Sequence, residues 1–316
     1  MNRRQFIGAV SASLIARTGA DAQTGVTPVN FAVPPGACDC HVHIHGDPAR
    51  FPFFEGRVYT PEIALPEHLA ALHKTLGIQR VVVVTPSVYG TDNRATLYGM
   101  SARGRDARGV AVIDQRTPDT ELDAMHKAGI RGIRLNLATA GISDPSVGRQ
   151  RFTDAVKRVA PRTWHIQMNT TLPMIAAIKD LVLASAPPVV FDHFGGARGE
   201  LGIAQPGFSD LVELVKSGQA YVKISGAYRS SNRAPDYSDM VPFAKALIAA
   251  NPERILWGTD WPHPNAVTPP GKKPTDVTPM LKIDDGALLN LLPVWAPDAE
   301  TRRAILVTNP ARLYGF

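Results

Sequence analysis

Eight short apolar runs, rich in valine and isoleucine, recur along this chain and are separated by helix-like segments. They are Ala37–His43, Arg80–Thr85, Gly109–Ile113, Gly132–Leu137, Thr163–Met168, Pro188–Asp192, Ala220–Ser225 and Arg254–Trp257. Between them lie a segment opening at Pro66-Glu67 with Leu69, Leu72 and Leu76 on one face, then Arg94–Arg103, Thr120–Ala128, Gln150–Ala160, Leu172–Ala184, Phe208–Ser217 and Val241–Ala250. Buried β-branched runs joined by helical crossovers form a parallel sheet with helices outside it. Eight of them predict an α/β fold, a single (β/α)8 TIM barrel, rather than an open doubly wound sheet. No G-x-G-x-x-G follows the first run, which excludes the dinucleotide fingerprint there. A chain of 316 residues, 44% hydrophobic, is long enough for one such core, and the barrel is expected over residues 37–316.

The first residues read differently. Asn2-Arg3-Arg4-Gln5-Phe6-Ile7 carries paired arginines, an apolar stretch follows from Phe6 to Ala16, and Ala20-Asp21-Ala22 matches a small-residue cleavage site. Residues 1–22 are therefore expected to be a Tat-type export signal cut near Ala22, with residues 23–36 as a linker and the protein in the periplasm. No apolar run has the ~18–20 residues needed to span a bilayer. The net charge is +6, and the basic residues are scattered except for Lys272-Lys273. Neither a nucleic acid nor a membrane is an expected partner. A small anionic substrate is, and self-association into a homo-oligomer is compatible with the sequence.

In such barrels the chemistry sits at the C-terminal ends of the strands. The first run ends in His41-Val42-His43, and residues two apart on a strand share a face. The sixth run ends in Asp192-His193 and the eighth leads to Asp260. Three imidazoles and one carboxylate at one mouth can activate water against a carbonyl. The other polar residues at strand ends are Ser87, Tyr89 and Asp92, then Arg134 and Asn136, then His165, Gln167 and Asn169, then Ser225 and Arg229, then His263 and Asn265. By alternation Cys38 and Cys40 face away from the histidines, toward the helices, as packed free thiols. His165 is expected to fill the barrel, His263 to cap its loop, and His68, His73 and His126 to be solvated on helices.

His41-Val42-His43, Asp192-His193-Phe194-Gly195, Trp257-Gly258-Thr259-Asp260-Trp261-Pro262 and the ending Asn309-Pro310-Ala311-Arg312-Leu313-Tyr314 resemble the amidohydrolase superfamily. Within it the sequence is most similar to the group of 2-pyrone-4,6-dicarboxylate lactonases, sugar-acid lactone isomerases and sulfomuconolactone hydrolases, over nearly all of the chain after residue 36. The resemblance implies a lactonase opening a carboxylated lactone. Asp260 would be the base, and His41, His43 and His193 would polarise the carbonyl. Tyr59, Ser87, Arg134, Gln167, Arg229 and Asn265 would be the substrate-binding set. The fourth run offers no Lys or Glu to bridge two metals, so a binuclear site is not expected. The preferred reading needs no cofactor. The alternative is one zinc on His41, His43 and Asp260, completed by water or His193. The resemblance also leaves a zinc amidohydrolase or decarboxylase, a lactone isomerase, and a non-catalytic ligand-binding barrel as competing readings. A second arginine common in the group a few residues past Arg134 is replaced by Ala138-Thr139-Ala140-Gly141. The loop Pro262–Pro279 is expected to wall the mouth.

Overall fold

The computed structural model describes residues 25–316, so the expected export signal lies outside the described residues. Eight parallel strands follow one another in chain order: β1 Cys38–Val42, β2 Arg80–Val84, β3 Ala107–Ala111, β4 Ile130–Asn136, β5 His165–Asn169, β6 Val189–Phe191, β7 Ala220–Lys223 and β8 Ile255–Leu256. Three backbone hydrogen bonds join the first strand to the end of the last: Cys40 N to Trp257 O (2.9 Å), Asp260 N to His41 O (2.9 Å) and His43 N to Trp261 O (2.8 Å). The cylinder is thereby closed, and the expected (β/α)8 barrel is the fold. At the seam a Cβ on Gly258 would lie 2.7 Å from His41 N, so only glycine permits this approach.

The helices form where apolar spacing and end signals agree. Helix α1, Pro66–Leu76, buries Leu69, Leu72 and Leu76, and stops at Gly77, whose φ of 73° is the left-handed cap geometry. Helix α2, Pro145–Val159, starts earlier than the expected Gln150. Asp144 caps it by accepting from Ser146 N, and Pro145 occupies its first turn. Among the described residues no helix is long and apolar enough to cross a membrane. The stretch expected to be a linker is fastened to the barrel: Thr27 bonds Asp284, Asn30 N donates to Asn290, and Gly36 N donates to Gln79.

One expectation about β1 is wrong. Cys38 and Cys40 are free and buried, but they pack inside the barrel with Val82, Val84, Val110, Val190 and Tyr314. The cause is a β-bulge. Asp39 pairs with Val81 and Val42 with Val83, so one extra residue is inserted between them. That extra residue flips the alternation. Cys40 and His41 both turn inward, and His43 keeps the face of His41. His73 is also not solvated. It is 1% exposed, and its Nε2 lies 3.2 Å from Asp39 Oδ2 while Arg103 donates to its Nδ1. Asp39 in turn accepts from Thr259 N and His41 N, tying α1 to the seam. His126 is half-buried and accepts from Trp164 Nε1, whereas His68 is exposed as expected.

His165 fills the barrel, edge-on to Tyr314. Burial, with the Lys223 charge, pulls its pKa down to about 3. The unfolded chain binds a proton there below about 6.5 and the folded chain does not until about 3. Between those values stability therefore falls as pH falls, by about 1.4 kcal/mol per pH unit at full slope. Urea unfolding from pH 7 to 4 is expected to show wild type losing stability relative to His165→Leu as the pH falls. A pH-independent difference would contradict this account.

Candidate active site

The strand ends open on a cavity of about 150 Å³. His43, His193 and Asp260 line it with Arg134 and Arg229, and Tyr59, Ser87, Thr139 and Asn169 complete its polar lining. Pro264 and Ala266 supply part of the wall, so the loop after β8 does border the mouth. Lys272 and Lys273 are exposed and do not line it. The loop before α1 and the loop after β8 are held together by a parallel pairing of Thr60–Pro61 with Val277–Thr278.

Asp260 is at the centre, fully buried. Its Oδ1 lies 3.7 Å from Nε2 of each of His41, His43 and His193, and makes no hydrogen bond among the described residues. Its Oδ2 accepts from the Tyr228 hydroxyl at 2.6 Å and from Arg229 Nε. Burial alone would raise the carboxyl pKa. Arg229 and the three histidines outweigh burial and hold it well below the usual carboxylate range. The backbone at Asp260 has φ 65°, and His193, Phe194 and His263 are also left-handed. Such conformations cost about 1–3 kcal/mol each and gather where geometry serves function.

The imidazoles are fixed from behind. His43 Nδ1 is 2.8 Å from the Val84 carbonyl, so it donates there and its Nε2 presents a lone pair to the cavity. His41 Nδ1 is 3.1 Å from Asp192 Oδ1 and 3.2 Å from Lys223 Nζ, with its Nε2 3.3 Å from His43 Nε2. His193 Nδ1 is 3.0 Å from Ser225 Oγ. Burial pulls all three pKa values down: His43 to about 3, His41 well below its ordinary value, and His193 less far. At neutral pH they are neutral rings.

His41, His43 and Asp260 bring one ligand atom each within 4.8 Å of the others. The orphaned Oδ1 of Asp260 and the inward lone pair of His43 fit a single divalent cation. His41 and His43 are each braced by an acceptor, as metal-bound histidines are. A second cation would sit beside Asp192, where Arg134 Nε at 2.9 Å and Lys223 Nζ at 3.5 Å already supply positive charge.

Of the expected binding residues, Tyr59, Ser87, Arg134 and Arg229 reach the cavity. Gln167 lies beneath it, fully buried, donating to Asp192 Oδ2 and accepting from Lys223. Asn265 is half-buried and off the lining, while its neighbours Pro264 and Ala266 are on it. Sequence reasoning missed Lys223, Tyr228 and the Asp192 hub. Lys223 had a signal, because an inward position on a barrel strand is no ordinary place for a lysine. Tyr228 had none.

A family model for amidohydrolases matches residues 38–316, and the chain belongs to the amidohydrolase family. It is 36% identical over 293 residues to the 4-sulfomuconolactone hydrolase of Rhizobium radiobacter, covering 91% of this chain and 93% of that one. It is 34% identical to the 2-pyrone-4,6-dicarboxylate hydrolase of Comamonas testosteroni, covering 90% and 92%. It is 30% identical to the D-galactarolactone isomerase of Agrobacterium fabrum, covering 92% and 94%. A crystal structure of an Agrobacterium tumefaciens protein superposes with a TM-score of 0.76 at 28% identity, covering 91% of this chain and 98% of that one.

Proposed function

We propose that this enzyme hydrolyses a carboxylated lactone, with Asp260 as the base. The observation that carries the reading is the Oδ1 of Asp260, which has no hydrogen-bond partner among the described residues, on a residue that lines the cavity together with Arg134. Arg134 spends Nε on Asp192, which leaves its terminal nitrogens for a substrate carboxylate. Tyr59 and Ser87 would hold the far edge of the ring. Asp260 Oδ1 would take the proton of a water as its oxygen bonds to the carbonyl carbon. With Ser225 donating to its Nδ1, His193 would present Nε2–H to the oxygen that becomes negative. The ring oxygen then leaves and receives the proton.

His43 cannot donate from Nε2 while Nδ1 donates to Val84, so it does not polarise a carbonyl by hydrogen bonding. That tautomer favours the single-cation alternative over metal-free chemistry. A zinc-like ion would be held by His41, His43 and Asp260, and when bound would supply a Lewis acid beside the carbonyl oxygen and the water.

Mono- and dicarboxylated lactones should be screened with and without chelator, in labelled water, on protein whose metal content is measured. Ring opening with solvent oxygen incorporated, about one divalent metal per chain and loss of activity on chelation are expected. Isomerised product without incorporated oxygen would replace hydrolase by isomerase. Full activity in metal-free protein would restore the cofactor-free reading. The paired arginines and Ala20-Asp21-Ala22 further support periplasmic export, which fractionation of cells expressing the full chain, beside an Arg3→Lys/Arg4→Lys variant, would test.

A further inference from the structure

Asp260 is held from outside the cavity by a line of side chains that the proposed reaction does not use. Tyr228 stands on a short helical turn, Ala227–Ser230, beyond β7. A carboxylate only accepts, so the Tyr228 hydroxyl spends its hydrogen on Asp260 Oδ2 at 2.6 Å. Burial, reinforced by the Asp260 charge, pushes the phenol pKa well above its ordinary value, which keeps that hydrogen in place. His263 Nδ1 lies 3.1 Å from the same hydroxyl oxygen, with the two rings edge-on at 85°. His263 Nε2 lies 3.1 and 3.2 Å from the two oxygens of Asp285. His263 and Asp285 are 4% and 5% exposed.

We propose that Asp285, His263 and Tyr228 form a strut that aims the Asp260 carboxylate, and that all three are positioning residues for the reaction. The proposal rests on the reading of Asp260 as the base. The strut engages Oδ2 alone and leaves Oδ1 turned to the three histidines, which is the division of labour a base needs. Its far end is anchored. Asp285 opens a helix, Asp285–Leu289, whose N-cap Asp284 accepts from Ala287 N and also grips Thr27. The next turn is tied down as well, since Asn290 bonds Pro28 O and Asn30 N. His263 is itself fixed by backbone bonds, its N to Asp260 O and its O from Leu281 N. The arm 25–36, the helix at 285 and the base are therefore one connected assembly.

Tyr228→Phe, His263→Gln and Asp285→Asn should be compared with wild type on the best lactone of the screen. Loss of an outer support of this kind lowers activity about 10–100-fold. We expect that loss in kcat, with KM within about threefold and thermal unfolding little changed for Tyr228→Phe. Because Tyr228 and His263 act through one oxygen, the Tyr228→Phe/His263→Gln double variant should be no slower than the worse single variant. Additive losses, losses in KM alone, or a change of less than about twofold in every variant would overturn the strut. Crystals of Tyr228→Phe provide a readout independent of substrate: the Asp260 carboxylate should rotate out of its wild-type plane. An unmoved carboxylate overturns the strut. A wild type that opens no lactone fails the functional reading instead, while the crystal comparison still decides the strut.

Discussion

Asp260→Asn is expected to lower kcat for lactone hydrolysis by about 10³–10⁴-fold, with KM changed far less. A positioned general base contributes about 10²–10⁴-fold, and this one has further duties. Asp260 is the one carboxylate among the residues that line the cavity, its Oδ1 has no hydrogen-bond partner among the described residues, and an amide group in its place cannot take a proton from water. That oxygen lies 3.7 Å from Nε2 of both His41 and His43, which with Asp260 could hold a cation, so a bound cation would be weakened too. The asparagine is isosteric and Tyr228 can still donate to its carbonyl oxygen, so the fold is expected to survive. Arg229 loses its charged partner, which argues for some loss of stability, and unfolding curves should be recorded alongside the kinetics. The measurement is steady-state turnover of the best carboxylated lactone across pH 6–9. Wild type should lose little activity over the lower part of this range, since the Asp260 carboxyl is held far below it and burial keeps the histidines neutral. A variant that kept more than a tenth of wild-type kcat would remove Asp260 from the role of base.

The barrel was legible because its signals are periodic and redundant. Each of the eight apolar runs became a strand, since a parallel sheet buried on both faces needs near-continuous apolar sequence. His41, His43, His193 and Asp260 were legible because they end strands, and strand ends share a mouth. What failed was parity and depth. A bulge between Asp39 and Val42 leaves no mark on composition, yet it turned Cys38 and Cys40 into the barrel. His73 sits on a helix at a position that reads as polar surface, but a buried Asp39 recruits it inward. The direction in which a polar residue points depends on the partner waiting for it. Asp39, Asp192 and Asp285 are such partners, each contributed by a different element far away in the chain. Gln167 was assigned to the correct face of β5 but one layer too high, because alternation gives the face and not the depth.

Lys223→Met is expected to destabilise the protein by about 3 kcal/mol, the lower end of the cost of breaking a buried ion pair. Lys223 is fully buried, donates to Gln167 Oε1 at 2.7 Å, and lies 3.2 Å from His41 Nδ1 and 3.5 Å from Asp192 Oδ1. Burying an ammonium group is unfavourable, and its pKa is lowered accordingly, with Asp192 acting in the opposite sense. Methionine relieves that desolvation and nearly fills the volume. Against this, the substitution leaves Gln167 Oε1 without its donor and Asp192 with one cation fewer. Arg134 stays on Asp192 at 2.9 Å, which is why the loss should fall short of the upper limit for a stranded charge. Urea unfolding at pH 7 gives the number directly. The pH dependence gives a second check. In wild type Asp192 is held well below the usual carboxylate range by His41, Lys223 and Arg134 against the opposing effect of burial. That contribution is present above the unfolded carboxylate pKa of about 3.9 and is lost as pH falls below it. With Lys223 removed the folded pKa of Asp192 rises toward the unfolded value, so the contribution shrinks and the difference between wild type and variant should narrow below about pH 4. A loss under about 1 kcal/mol at pH 7, or a difference that grows on acidification, would mean that Lys223 does not serve Asp192 as a charged partner.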